Sequence, residues 1–406
     1  MKFLIVLAAC AGIARADDRT PITLVQALAA AARAPAAQTG GHDVAAAEAS
    51  VDGASAWPNP SLHLATSRLT ARLVAGATLP LPIFGTTGAA RRVAAAEAQV
   101  VRAEAALALR DFRHRVTVAW IELARARADL STQQVAAQQA ADLETVATGR
   151  RAAGTGADVD VMVAAAARAR ANVAVAAALR TEDAASAELA GLLGWDPERP
   201  LRADGAPVIG PGRELAALRG RLRGHPERVA AERRIGVADA GVDRVLVERW
   251  PGLALEGELD VDDVSVTEGR TVWDRTDARI GVSLELPLFA RIGARARAAE
   301  ATAQAQRSRL AALEAELGGR LLAAYRRWQA ASERLAALER DVLPAHVTAA
   351  ALSMQAYREG ARDLSSALVA DHDLAAVRAE INDARAAAAV AYSELTLAAG
   401  EDSDAR

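Results

Sequence analysis

The feature that most constrains this chain is an ordered set of landmarks that occurs twice. Ala47-Glu48-Ala49-Ser50-Val51 returns as Ala238-Asp239-Ala240-Gly241-Val242, 191 residues on, and Trp57-Pro58 returns as Trp250-Pro251, 193 on. Leu81-Pro82-Ile83-Phe84 then returns as Leu286-Pro287-Leu288-Phe289 at an offset of 205. Gly154 returns as Gly360, and Leu193-Gly194 as Ala399-Gly400, both at 206. A period near 200 means a duplicated, domain-sized unit rather than a short solenoid repeat. The jump from 193 to 205 predicts an insertion at one place in the second copy.

The periodicity says what each copy contains. In the second, Leu253, Leu255, Leu259 and Val261 alternate with Ala254, Glu256, Glu258 and Asp260. Ile280, Val282, Leu284 and Leu286 alternate with Arg279, Gly281, Ser283 and Glu285. That is a strand pair with one apolar face, and polar Asp262–Asp277 between them is expected to be a loop. In the first copy Leu69–Leu79 alternates similarly after a weaker strand at Leu62–Ser67. The turn between those strands is expected to be tight, so that the loop missing from it accounts for the offset jump.

The rest reads as helix. Arg91–Gly149 holds no proline and would span roughly 88 Å at 1.5 Å per residue. Phe112, Val116, Ala119, Leu123, Ala126 and Leu130 form a heptad seam. Leu310, Leu313, Leu317, Leu321, Ala324, Trp328, Ala331, Leu335, Leu338 and Val342 form a second, with one extra four-residue step. Composition agrees: 106 alanines with only 3% aromatics suit long helices in close contact. Each copy thus reads helix, hairpin, very long helix, glycine turn, helix. Trp120 and Trp328 are expected to be packing anchors, and Arg219, Arg221 and Arg223 a solvated face.

Several classes are excluded. A net charge of −3 carries no basic footprint for nucleic acid. Charged residues at 24% and a mean hydropathy of +0.07 exclude a polytopic helical membrane protein. No Gly-x-Ser-x-Gly, His-Glu-x-x-His or phosphate-cradling glycine loop is present, so no catalytic, cofactor or metal residue is assigned. The six histidines are dispersed. Met1–Ala16 has a basic start, an apolar stretch and Ala14-Arg15-Ala16, and reads as a signal peptide. Leu7-Ala8-Ala9-Cys10 also resembles a lipobox. Plain cleavage is the main reading and lipidation of Cys10 the alternative. The expected layout is signal peptide 1–16, first repeat 17–209 with its hairpin at about 62–82, second repeat 210–400 with its hairpin at about 253–287, and tail 401–406.

Together these residues resemble the TolC-like outer membrane efflux family over about Leu24 to Gly400. The marks are Trp57-Pro58-Asn59-Pro60-Ser61-Leu62, Leu81-Pro82-Ile83-Phe84-Gly85, Leu192-Leu193-Gly194-Trp195-Asp196-Pro197, His225-Pro226-Glu227 and Tyr357-x-x-Gly360-x-x-x-Leu364. The compact hairpins look slightly more like the heavy-metal efflux branch. The resemblance implies a mainly α fold with β hairpins. A duplicated long-helix coiled coil would carry four strands per subunit into a trimeric 12-stranded outer-membrane barrel, continued by a periplasmic helical barrel. It implies a passive exit duct, a homotrimer in outer-membrane lipid, partnered by a periplasmic membrane-fusion adaptor and an inner-membrane pump. Tips that meet the adaptor and close the resting aperture would then fall at Gly154, Gly156 and Asp158, and at Tyr357, Gly360, Arg362 and Leu364. Tyr357 and Arg362 are candidate gate contacts, while Asp158 reads as a helix N-cap. A family-type gate of carboxylates is not carried over, since Ser366 and Val369 occupy those positions. The strands lack the aromatic girdle of a membrane barrel, with Trp273 the nearest candidate. The alternative is a periplasmic coiled-coil scaffold without a pore, which would need no hairpins.

Overall fold

A computed structural model describes residues 19–67, 72–267 and 270–401. The expected signal peptide, and Cys10 with it, lies outside the described residues. Helix dominates. The helices are α1 (Leu24–Ala31), α2 (Pro35–Ala54), α3 (Thr86–Ala152), α4 (Asp158–Leu193), α5 (Leu215–Arg221), α6 (Pro226–Val247), α7 (Ile292–Ala337), α8 (Leu343–Arg358) and α9 (Leu364–Ala398). The strands are β1 (Thr20–Ile22), β2 (Ser61–Ser67), β3 (Arg72–Leu81), β4 (Leu201–Ala203), β5 (Gly252–Thr267) and β6 (Arg270–Glu285). The 67 residues of α3 contain no proline and end where Gly154 takes φ +76°, a left-handed conformation that suits glycine.

The chain forms two compact units, each assembled from both halves of the sequence. Among the described residues, the first gathers residues 19–39, Ala108–His225 and residues 315–401. Its core follows the first predicted seam: Phe112, Val116, Leu123, Ala126 and Leu130 are buried, with Ala119 packed beside them. Trp120 joins this core and its indole N–H donates to the Ile22 carbonyl at 2.9 Å. β1 and β4 pair in parallel over three residues, a bridge that periodicity is too short to reveal. The second seam is buried at Leu317, Leu321, Ala324, Trp328, Leu335 and Leu338, whereas Leu310 and Leu313 remain partly exposed.

The seam stays packed to its end at Val342, but the helix that carries it changes geometry there. Leu338–Val342 is a π-helical turn, and the Leu343 N–H bonds five residues back to the Leu338 carbonyl. Pro344 supplies the reason. Its nitrogen cannot donate to Arg340, and its ring crowds that carbonyl, so the preceding turn widens.

The second unit comprises Gly40–Leu107 and Pro226–Glu314. It holds a four-stranded antiparallel sheet in the order β2-β3-β5-β6. The segment Asp262–Asp277, expected to be a loop, is strand on both sides of residues 268–269. Asp262 lies opposite Arg275, Val264 opposite Trp273 and Val266 opposite Thr271. The polar residues misled because they alternate with Val264, Val266 and Val272, and antiparallel pairing satisfies their backbone groups. The insertion in the second copy is thus spent on longer strands: β5 and β6 have 16 residues each, against 7 in β2 and 10 in β3.

Helices in this unit lie close together. A Cβ on Gly40 of α2 would meet the Ala105 Cβ of α3 at 3.0 Å, so both residues must be small. Arg234 pairs with Glu104 at 2.6 Å, Arg307 with Asp239 at 2.7 Å and Arg228 with Glu314 at 2.7 Å. These exposed pairs set register more than stability, because solvent screens them.

Candidate functional site: the sheet faces and the paired helix turns

Two features are the candidates, one in each unit. The first is the sheet. Strand alternation places Leu62 and Leu64 of β2, Ala75 and Ala77 of β3, Leu255 and Leu259 of β5, and Ile280 and Val282 of β6 on one face. That face is uncovered in the single chain: Ile280 is 86% exposed and Leu62 81%. The opposite face carries His63, Glu256, Glu258, Asp260, Asp277 and Arg279. The His63 ring lies against Gly76, where a Cβ would come within 2.2 Å of its Cε1 and Nε2 atoms. Arg279 reaches Asp260 at 3.4 Å and Glu258 at 3.8 Å. The outer edges of β2 and β6 have no neighbour among the described residues.

Aromatic residues lie where the strands meet helices. The Phe84 and Trp250 rings stack at 5.9 Å and 8° between planes, and Arg249 lies over Trp250 at 5.4 Å. Trp57 is exposed, and Phe289 is 94% exposed. One rim of the sheet is therefore aromatic. The residues concerned lie just outside the strands, where a search for aromatics within alternating segments misses them. The side chain of Trp273 lies outside the described residues.

The second feature lies in the first unit, where the α3–α4 turn and the α8–α9 turn share a core. Leu143, Ala147, Ala164, Tyr357, Leu364 and Ala367 are buried together, with Val146, Val161, Met354 and Leu368 packed against them. Gly154 and Gly360 both take φ +76°. Gly156 packs against the backbone of the preceding helix, where a Cβ would meet Arg151 N at 2.9 Å. The sequence-predicted tip residues divide by exposure. Gly154, Asp158, Gly360 and Arg362 are exposed and Gly156 partly so, whereas Tyr357 is 1% exposed and Leu364 2%.

Asp158 is not the helix cap. Ala157 holds that position without a side-chain bond, and Asp158 is the first helical residue, paired with Arg151 at 2.5 Å. With Asp160 it places negative charge in the first turn, where the helix dipole favours it. Asp363 precedes α9 and accepts the Ser365 and Ser366 hydroxyls, which hold its carboxyl below the usual range. The Tyr357 hydroxyl is buried without a partner, and burial together with nearby Asp160 pushes its ionisation up. Arg150 also belongs to this site, although the sequence pattern did not single it out. It looks like one of many surface arginines until the second turn is placed beside it, where it donates to the Tyr357 carbonyl. Arg219, Arg221 and Arg223 are exposed, as a solvated face requires, and Arg221 also pairs with Glu401. No group of three or more His, Cys, Asp or Glu gathers into a metal site among the described residues.

With the sheet and the paired turns described, the chain can be set beside known proteins. Residues 221–401 match the family model described as outer membrane efflux protein. The fold is shared along nearly the whole chain with solved channels of low identity. The outer membrane protein VceC from Vibrio cholerae is 18% identical, with a TM-score of 0.74 over 94% of this chain and 97% of that one. CusC is 16% identical, with a TM-score of 0.76 over 93% and 92%. The MtrE outer membrane channel of Neisseria gonorrhoeae is 18% identical, with a TM-score of 0.72 over 93% and 89%. No curated protein sequence matches the chain significantly.

Proposed function

We propose that this chain is the outer-membrane exit duct of a tripartite efflux system. It would pass cargo outward from an inner-membrane pump and a periplasmic adaptor, with no chemistry of its own. The observation that carries this reading is the sheet: an uncovered apolar face, a charged opposite face and two unpaired edges. Open edges cannot persist in a bilayer, where each unpaired backbone group costs several kcal/mol. Three copies of the four-stranded sheet would close a 12-stranded barrel, apolar outside and charged within. Oligomerisation also accounts for α4. Among the described residues it alone is long and apolar enough to cross a membrane, yet only 6% of its apolar window is buried. Arg168, Arg170 and Arg180 along it fit contact with another copy better than contact with lipid. The exposed turn residues Gly154, Gly156, Asp158, Gly360 and Arg362 would meet the adaptor and close the resting duct. Tyr357 and Leu364 would act from beneath, by holding the turns in shape.

The test is a charge on the apolar face. Val282→Arg places a guanidinium in hydrocarbon at a cost of about 2–4 kcal/mol near the midplane, incurred three times per trimer. The expected result is loss of the heat-modifiable trimer from the outer-membrane fraction, while Ser283→Arg on the opposite face leaves it intact. A Val282→Arg protein that assembles like wild type would favour a periplasmic scaffold without a pore.

A further inference from the structure

The internal duplication leaves one aromatic contact made and its counterpart open. β3 runs out through Leu81-Pro82-Ile83-Phe84, and Trp250-Pro251 leads into β5, its neighbour in the sheet. Beside that shared edge Phe84 and Trp250 stack, with ring centroids 5.9 Å apart and planes 8° from parallel. The same landmarks stand at the two outer edges. β6 runs out through Leu286-Pro287-Leu288-Phe289, and Trp57-Pro58 leads into β2. The two exit loops turn alike: the Ile83 N–H donates to the Leu81 carbonyl at 2.9 Å, and the Leu288 N–H to the Leu286 carbonyl at 2.8 Å. Yet Phe289 is 94% exposed and Trp57 62%. The reason is the strand order, which sets β6 and β2 at opposite ends of the sheet, about 14 Å apart across three strand spacings.

The duplication also gives a strand register for the missing contact. β3 and β6 are related by an offset of 205 residues, and β5 and β2 by 193. The observed pairs Leu79 with Leu255 and Ala77 with Gly257 then translate into Leu284 with Leu62 and Val282 with Leu64. Both translated pairs join residues of the apolar face, so the apolar surface continues unbroken from one edge to the other. A slip of one residue would set Leu62 against the polar face of β6. The two edges differ from each other, so their contact is head-to-tail, the kind that closes a ring of copies.

We propose that Phe289 of one chain stacks on Trp57 of the next copy, as Phe84 stacks on Trp250 within the chain, and that this clasp sets β6 against the neighbour's β2 with Leu284 opposite Leu62. The proposal rests on the closed barrel of the exit-duct reading. The experiment uses the full-length protein from outer membranes, in detergent. Leu284→Cys and Leu62→Cys are placed in one chain, oxidised, and read as covalent oligomers on a non-reducing denaturing gel. Cys10 is the single native cysteine, and wild-type protein controls for it. Directly paired residues of adjacent strands lie within disulfide reach. Ile280→Cys with Leu62→Cys is the control, four residues and about 13 Å out of register. The first pair is expected to give at least about tenfold more covalent dimer and trimer than the second. The stack itself is read from the rate at which the trimer dissociates in warm dodecyl sulfate. Phe289→Ala and Trp57→Ala are each expected to speed dissociation about three- to tenfold. The double variant is expected to be no faster than the faster single one, because both changes remove the same contact. Should the alanine variants fail to assemble, the same cycle run with leucine at both positions decides. The proposal is overturned if a trimer forms but cross-links as well through Ile280 and Leu62. It is equally overturned if the two single effects multiply in the double variant, which would set Phe289 against lipid instead. A wild-type chain that forms no trimer overturns the exit-duct reading, and the clasp with it.

Discussion

Trp120→Ala is expected to destabilise the first unit by roughly 3–5 kcal/mol, the range for removing a large aromatic side chain from a packed core. Trp120 is 2% exposed and lies among Phe112, Val116, Leu123, Leu189 and Leu201. Its N–H also holds the Ile22 carbonyl of β1, and Ile22 pairs with Ala203 of β4. One side chain therefore fastens the short parallel bridge to the longest helix. Alanine leaves a cavity there, and α1 and β1 lose their support. Trp120→Phe separates the contributions: it keeps most of the packing and loses the donor, at about 1 kcal/mol. The control is Trp328, also buried, whose indole nitrogen has no partner among the described residues. Trp328→Phe should therefore cost less than Trp120→Phe. Thermal unfolding in detergent reads all three. Equal losses for the two phenylalanine variants would show that the bond to Ile22 contributes nothing.

Arg19→Ala is expected to cost about as much, roughly 3–5 kcal/mol, for a different reason. Glu182 is fully buried, and Arg19 binds it at 2.9 Å and Asp183 at 2.5 Å. Arg127 stands farther off, at 3.6 Å from Glu182. Burial pushes the Glu182 carboxyl up, while Arg19 and Arg127 pull it down. Removing Arg19 leaves a buried carboxylate with only the weaker partner. The sign of the pH dependence follows. In the variant the folded-state carboxyl titrates still further above its unfolded value. The destabilisation is then full at pH above the folded value and relaxes as pH falls through it, because the protonated form tolerates burial. Glu182→Gln in the Arg19→Ala background should recover much of the loss at neutral pH. A deficit independent of pH, together with failure of that rescue, would assign the effect to lost packing of the arginine stem instead.

These two sites show how unevenly the sequence displays its own energetics. Trp120 was legible as an anchor because it falls inside a long helical run beside a seam of Val116, Leu123 and Leu130. Arg19 was not, because its partner lies 163 residues away and nothing local marks an arginine near a leader segment as buried. The π-turn at Leu338–Val342 was legible in principle from Pro344, but the heptad pattern of Leu335, Leu338 and Val342 concealed it. Asp262–Asp277 misread as a loop for a related reason. Polarity was weighed more heavily than alternation, and alternation is what a sheet with one charged face requires. In the paired turns, Gly154, Gly156 and Gly360 were visible because left-handed backbone and close approach demand glycine. Arg150 was invisible because its role exists only once the second turn lies beside the first.

The sequence alone determined the type of the long helices and of the two hairpins. Unbroken alanine-rich runs can only be long helices, and alternation between landmarks that occur twice can only be hairpins. Both follow from local periods that every residue obeys regardless of distant partners. The tertiary structure decided which residues from the two copies meet. It interleaved the repeats into two compact units, lengthened the second hairpin where a loop was expected, and gathered Trp57, Phe84, Trp250 and Phe289 at one rim. It also buried Tyr357 and Leu364 while leaving Arg362 exposed. Those outcomes depend on contacts across roughly 200 residues of chain, and local periodicity does not encode which of many similar alanines and arginines will come together.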